Sequence, residues 1–283
     1  MKKIYYFGDN YVKMNTRYPM KNAMGVKMIE LVKEQMQYIN DFYLHCKDST
    51  VLSCLQGYMG RAWVDQLPSP TVCRIVQGDF CFPAGNANSL DADKILSEFP
   101  TEIDMRGLLI IPHTIDWEDK LENSGKYNNI VRYAIKKEGF IFSVEKLLDY
   151  INLLPADYEL RQIDEEIYDL VLSEEWSKDF CSNFKSAEEY DKFGLGFVIF
   201  NNGKIICGAS SYTVCQDGIE IQIGTRDEYR RQGFATICGA RLLLECIKLN
   251  KYPNWDAANL NSVKVAEKLG YHFDKEYATY QLK

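Results

Sequence analysis

The sequence predicts a mixed α/β protein, and three observations predict it. Strand-length apolar runs and segments of helical periodicity interleave along the chain. The pair Asn202-Gly203 sits between two apolar runs, Gly196 to Phe200 and Lys204 to Tyr212, the strongest short hairpin signal in the chain. The alternating run Gly218 to Thr225 feeds a short glycine-containing loop and then a long helix with an apolar face.

The elements follow in order. Met28 to Tyr43 reads as an amphipathic helix, with Ile29, Val32, Met36, Ile39 and Tyr43 at helical spacing. Arg61 to Asp65 and Thr71 to Gln77 read as strands joined by the turn-rich Gln66-Leu67-Pro68-Ser69-Pro70, and Gly78-Asp79 separates the second from Phe80 to Phe82. Leu108 to Ile111 and Asn129 to Lys137 are further strands, and Val144 to Leu153 is a helix. Pro155 marks a boundary, dividing the chain into 1–155 and 156–283. After it the pattern restarts with strand Tyr158 to Gln162, helix Glu165 to Leu172 and helix Ala187 to Lys192. Beyond the hairpin and the strand Gly218 to Thr225, a helix runs from Ala235 to Leu249, with Ile237, Ala240, Leu244 and Ile247 on one face. Strand Tyr252 to Asp256, helix Ser262 to Leu269 and a final strand pair end the chain.

A chain of 283 residues, 46% hydrophobic and 26% charged, is long enough for two cores. The net charge of −7 argues against a nucleic-acid binder, which needs a basic surface, but leaves room for a local basic pocket. Lys2 and Lys3 are not followed by an apolar stretch, because Asp9, Lys13 and Arg17 interrupt it, so no secretory signal is expected. Apolar runs such as Leu108 to Ile111 are too short to span a bilayer, and no membrane partner is expected. Nine cysteines without a C-x-x-C pair point to reduced thiols and a cytoplasmic protein. His45, His113 and His272 are not paired at ligand spacing, so no metal is expected. The oligomeric state stays open, a homodimer being one option.

The junction around Gly233 carries the chemistry. The loop Arg230-Arg231-Gln232-Gly233-Phe234-Ala235 leads from a strand into a helix. A helix start offers unpaired N–H groups and the positive end of the macrodipole, a ready site for phosphate. Gly233 lets the backbone approach a ligand, Ala235 and Thr236 are small enough to leave the amides uncovered, and Arg230 and Arg231 add positive charge. A plain loop-to-helix turn with solvated arginines would look the same in this segment alone.

This segment resembles the pyrophosphate loop of the GNAT acetyltransferases, Q/R-x-x-G-x-G/A, matched by Arg230, Gly233 and Ala235, with Tyr229 where that family often has tyrosine. Downstream, Asn259, Ser262, Val265, Ala266, Lys268, Gly270 and Tyr271 are in register with the family's N-x-x-A-x-x-L-Y-x-K-x-G-F. The resemblance covers roughly Asp157 to Lys283. Through Tyr252 to Asn259 and Ala266 to Tyr271 it is nearest the bacterial group that includes zwittermicin A resistance acetyltransferase-like proteins. It implies a mostly antiparallel sheet with flanking helices in the second half. It also implies acetyl-CoA as acyl donor, held by Ile223, Gly224 and Thr225 along the pantetheine arm, by the amides of Arg231 to Thr236 at the pyrophosphate, and by Asn259, with Ser262 beside it at the helix start. The first half, with Trp63-Val64-Asp65 and Gln77-Gly78-Asp79-Phe80, is similar to the leading region of the same group and could be a degenerate second copy of the sheet that caps the substrate.

The implied reaction is attack of a small-molecule amine on the thioester in a ternary complex. An alkyl amine, with a pKa of about 10, must first lose a proton. Glu220 is the candidate general base, although Glu220 and Gln222 would equally form the polar face of a half-exposed strand. The family's frequent general-acid tyrosine falls on Ala266, and Tyr212, Tyr229 and Tyr280 are candidates to replace it. A cysteine nucleophile among Cys207, Cys215, Cys238 and Cys246 is the alternative chemistry, without a neighbouring histidine to support it. Asp65 and Asp79 could face a cationic substrate or be structural turn carboxylates. A non-catalytic acyl-CoA sensor and a protein or peptide acetyltransferase are the rival functions.

Overall fold

The computed structural model describes residues 28–283; the start of the chain, with Lys2, Lys3, Asp9, Lys13 and Arg17, lies outside the described residues. Strand β1 (Ile29–Glu30) and two 3-10 turns, Lys33–Tyr38 and Asn40–Tyr43, lead to α1 (Ser49–Leu55). The expected long helix is therefore not formed: Ile29 pairs with β2, and Val32 is exposed. Met36, Ile39 and Tyr43 do turn inward, so the periodic apolar positions bury as expected in a tighter helix type.

A meander of β2 (Arg61–Val64), β3 (Val72–Gln77) and β4 (Phe80–Gly85) follows, then α2 (Ala92–Ile95), β5 (Leu109–Ile110), α3 (Ile115–Asn123), β6 (Tyr127–Ile135) and α4 (Val144–Asn152). Pro155 lies in the turn before β7 (Tyr158–Gln162). Then come α5 (Glu165–Leu172), α6 (Ala187–Phe193), β8 (Gly196–Asn201), β9 (Lys204–Cys215) and β10 (Gly218–Thr225). The chain ends with α7 (Phe234–Lys248), β11 (Tyr252–Asn254), β12 (Asp256–Ala257), α8 (Leu260–Leu269) and β13 (Phe273–Leu282).

Both sheets are mixed and mostly antiparallel, with helices flanking them, as the sequence predicts. The smaller has the order β11-β10-β9-β8-β7, the larger β1-β2-β3-β4-β5-β13-β6-β12. Each half repeats one pattern: an antiparallel meander whose last strand gains a parallel neighbour after a crossover. In the first half this is β4 beside β5, in the second β10 beside β11. The two halves are interwoven. β13 is one long strand rather than the expected pair, and it lies between β5 and β6 in the larger sheet. β12 also pairs with β6. Alternation marks a strand but carries no information about which sheet it will join.

Local signals place the ends of the helices that matter. Asp48 and Asn259 cap α1 and α8 by accepting backbone N–H bonds, and Gly270 ends α8 at φ +109°. Helix α7 is buried more widely than the single expected face: Ile237, Cys238, Ala240, Leu242, Leu243 and Cys246 are all inaccessible, because α4 packs on it opposite the sheet. Leu244 and Ile247 are only half-buried.

A polar link joins the last three strands of the larger sheet, β13, β6 and β12. Arg132 of β6 donates from Nε to Asp256 Oδ2 at 2.7 Å, and Tyr277 of β13 donates to the same oxygen at 2.9 Å. Burial pushes the Asp256 carboxyl up and Arg132 pulls it back. Arg132→Met strands this carboxylate, and it is expected to cost about 3 kcal/mol of stability, read as a fall in the denaturant midpoint.

Candidate active site

The site begins where β10 loses a neighbour. Strand β11 pairs in parallel with Gly218, Ile219 and Glu220 only, whereas β9 pairs with β10 along its whole length. Beyond β11 the chain turns at Trp255 into β12 and joins the other sheet, so the two strands splay. Trp255 is held in that turn by its indole N–H to Ser262 Oγ at 3.0 Å and by its edge contact with Tyr271. From Ile221 to Thr225, the β10 edge facing the wedge pairs with no strand among the described residues. Such an edge offers backbone donors and acceptors to an extended ligand, as a β-strand would.

The wedge runs to the start of α7. Gly233 is the N-cap residue at φ +91°, with no side-chain cap on the helix, and a Cβ added there would meet nothing within 4 Å. Arg231 also lies in the left-handed region, at φ +62°. Successive left- and right-handed residues turn backbone N–H groups inward into an anion-binding nest, here continued by the free amides of the first helical turn. Ile223, Gly224, Thr225, Arg230, Arg231, Gly233, Phe234, Ala235, Thr236, Asn259 and Ser262 all line one cleft of about 700 Å³. Gln232 does not line it, and its side chain turns back to Glu228 O at 3.3 Å. Arg230 is less free than the sequence suggests: it pairs with Asp227 at 2.7 Å and donates to Thr225 O. Lys264 and Lys268 of α8 also border the cleft, cations that the loop motif did not reveal. The Asn259 Oδ1 caps α8, which leaves only its Nδ2 for a ligand.

At its inner end the cleft meets a second cavity, lined by Asp48, Thr50, Phe80, Phe82, Ile111, Arg132, Tyr212, Glu220, Ile221, Gln222 and Asp256. The β9–β10 register shifts between Glu220 and Ile221 and leaves Tyr212 as the extra, bulged residue of β9; Tyr212, Glu220, Ile221 and Gln222 all line this cavity. A third, wider space of about 530 Å³ shares Asp48, Ile111, Glu220 and Asp256 with it and opens outward between the two halves.

Glu220 stands at the junction. Ser49 Oγ donates to its Oε2, and its Oε1 is buried with no partner among the described residues. Burial and the nearby Asp48 push its carboxyl up to about 7, against the opposing pull of Lys137 and the Ser49 bond. Glu220 and Gln222 are both half-buried, as the polar face of a half-exposed strand would also have them, and both line the inner cavity. A carboxyl titrating near neutrality with one free oxygen suits proton transfer to or from a bound group.

The tyrosines separate clearly. Tyr280 is in the first-half core and donates to Glu122, and Tyr229 reaches Asn201 at the outer rim, whereas Tyr212 borders both the cleft and the inner cavity. Its hydroxyl accepts from Asp79 N at 2.8 Å and lies in hydrogen-bond contact with Asn183, and burial raises it, so it is protonated at neutral pH. Gly78, at φ +53°, is required beside it, since a Cβ there would strike that hydroxyl. Ala266 is fully buried in α8 and does not reach the cleft. Cys207, Cys215, Cys238 and Cys246 are buried, and burial pushes Cys246 up to about 12 and also raises Cys215 and Cys238, which disfavours these last three as nucleophiles at neutral pH. Asp65 is corrected to a turn residue: it accepts from Thr71 N, Thr71 Oγ1 and Val72 N, away from the cleft. Asp79 borders the cleft. Ser49, Arg132 and Asp256 were not foreseen, because each reaches the site from an element distant in sequence.

Among the described residues, no group of three His, Cys, Asp or Glu side chains could hold a metal, and no helix is long and apolar enough to cross a membrane. The family model described as GNAT acetyltransferase matches residues 40–280. A GCN5-related N-acetyltransferase-like protein from Streptococcus suis shares 34% identity, with 88% of this chain and 99% of that one covered, at a TM-score of 0.80. A tandem GNAT protein from the clavulanic acid biosynthesis pathway covers 90% of this chain and 97% of its own at a TM-score of 0.55 and 9% identity, a likeness of fold alone. The uncharacterized N-acetyltransferase YdfB of Bacillus subtilis is 26% identical over 131 residues, 45% of this chain, and the match spans about half (49%) of that relative's length. With the wedge, the nest at α7 and a match running through both halves, the chain belongs to the GNAT acetyltransferase family.

Proposed function

We propose that this protein transfers an acetyl group from acetyl-CoA to the amine of a small molecule, by direct attack within a ternary complex. The observation that carries the reading is the continuity of one path: unobstructed amides at the start of α7, the open edge of β10, and Glu220 at the far end. The residues fit the donor at both ends. The nest and Lys268 suit its phosphates, and the edge from Ile223 to Thr225 suits an amide-bearing arm. Bound there, an acetyl thioester supplies an electrophilic carbonyl.

Each residue then has a defined task. Glu220, which lines the inner cavity, takes a proton in its ionised form from the incoming ammonium, directly or by way of water. Backbone N–H groups at the splay polarise the carbonyl and stabilise charge that develops on its oxygen. Tyr212 gives a proton to the departing sulfur, the task that Ala266 cannot perform. A thiol has a pKa of about 8.5, so this help is useful but modest. Tyr212→Phe is expected to lower kcat by about 10- to 100-fold while leaving acetyl-CoA affinity unchanged, as measured by CoA release and by calorimetry.

The first half acts as a cap over the acceptor. The outward space carries Asp48, Glu118, Glu220, Asp256 and Glu276 against Lys137 and Lys275, a balance that favours a cationic amine. The motif segments Tyr252 to Asn259 and Ala266 to Tyr271 support a likeness to the bacterial group with zwittermicin A resistance acetyltransferase-like members. The nine cysteines, all unpaired, suit a cytoplasmic setting. The test is CoA release from acetyl-CoA across a panel of small amines and lysine peptides. Turnover with small cationic amines supports the reading; turnover of peptides alone, or binding without turnover, overturns it in favour of a protein-directed enzyme or a sensor.

A further inference from the structure

The general base belongs to the second half of the chain, but its hydrogen-bond partner comes from the first. Helix α1 crosses the face of β9 and β10 from which Glu220 projects. Its first residue, Ser49, is 1% exposed, and its Oγ donates to Glu220 Oε2. Asp48, the preceding residue, is occupied in capping α1 through Thr50 N and Val51 N, which fixes where Ser49 sits. One carboxylate oxygen is held by Ser49, and the other is buried without a hydrogen-bond partner among the described residues, in a side chain that lines the inner cavity.

We propose that Ser49 is the positioning residue of the reaction, a donor lent by the capping half that orients the Glu220 carboxylate and sets the pH at which it works. The proposal rests on the reading of Glu220 as base. A serine hydroxyl bonded to a carboxylate favours the ionised form, the form a base needs. It opposes burial and the charges of Asp48 and Asp256, alongside Lys137. The other groups around β10 do not compete for the role. Tyr252 of β11 and Tyr271 stay neutral, their hydroxyls raised by burial. Lys178 pairs with Glu175, Asp179 faces Asp79, and on the opposite face of the sheet Arg241 of α7 pairs with Glu245. An arrangement of this kind makes the oriented base a product of both halves.

The test is the pH profile of kcat/KM for the full chain carrying Ser49→Ala, Ser49→Cys or Ser49→Thr, with Glu220→Gln alongside. Cysteine nearly preserves size but is a weak donor, whereas threonine keeps the hydroxyl. The expected result is that the acid limb moves upward by about one pH unit in the Ala and Cys variants and returns in Ser49→Thr. At pH 7 kcat/KM should fall about fivefold, with the acetyl-CoA Kd unchanged. A limb that stays in place in Ser49→Cys, or that moves equally in Ser49→Thr, overturns the proposal while leaving the base intact. Full activity in Glu220→Gln overturns the base and the proposal together.

Discussion

Gly233→Glu is expected to weaken acetyl-CoA binding at least 100-fold, about 2.7 kcal/mol, without unfolding the protein. Two effects add. The new side chain enters the open space over the nest, where a Cβ now meets nothing within 4 Å. Its carboxylate also neutralises the positive end of α7 where a diphosphate would lie. Gly233→Ala separates blockade from backbone strain. At φ +91° any L-residue is strained, costing of order 1 kcal/mol in stability, but a methyl group neither fills the space nor carries charge. Alanine should therefore lower the melting temperature with a binding loss well below that of glutamate. Equal losses from the two variants, or none from either, would remove the nest from the account. Calorimetry with acetyl-CoA and thermal unfolding on the same samples make the comparison.

Glu220→Gln is expected to lower kcat by about 10²- to 10⁴-fold and to leave acetyl-CoA binding intact. The unaltered protein should gain activity as pH rises through about 7, as the carboxyl loses its proton. The glutamine variant should lack that limb. Stability runs the opposite way. The carboxyl is raised in the folded state, so its contribution is present at low pH and is lost as pH rises toward 7 and Glu220 must ionise in a buried place. Glutamine keeps the shape without the charge, so Glu220→Gln should melt higher than the parent at pH 8. A variant that is both less active and more stable at that pH identifies a group held in place for chemistry rather than for folding.

The cofactor side of the site was legible in the sequence because it is local. A strand, a loop with Gly233 and a helix start occur within twenty residues, an order that sets the unpaired amides of a helix start beside a strand end. The second motif was legible for the same reason: Asn259 and Gly270 bracket a helix by capping chemistry. The acceptor side was largely illegible. Glu220 and Tyr212 could be named on β10 and β9, but Ser49 arrives on α1, and Arg132 and Asp256 meet because β12 leaves the second half and pairs with β6. Nothing in the alternation of Phe273 to Leu282 says which strands it will pair with, and it read equally well as a final strand pair of its own half. The segment Met28 to Tyr43 shows a different limit. Apolar spacing found the buried Met36, Ile39 and Tyr43, but spacing of three to four serves a 3-10 turn as well as an α-helix.

The most direct measurement compares calorimetric titrations of the unaltered protein with acetyl-CoA and with S-acetylpantetheine, which shares the thioester arm but lacks the diphosphate. If the amides at the start of α7 hold that group, acetyl-CoA binds one to one and the truncated thioester binds far more weakly. Equal affinity for the two, or no heat with acetyl-CoA, would contradict the account.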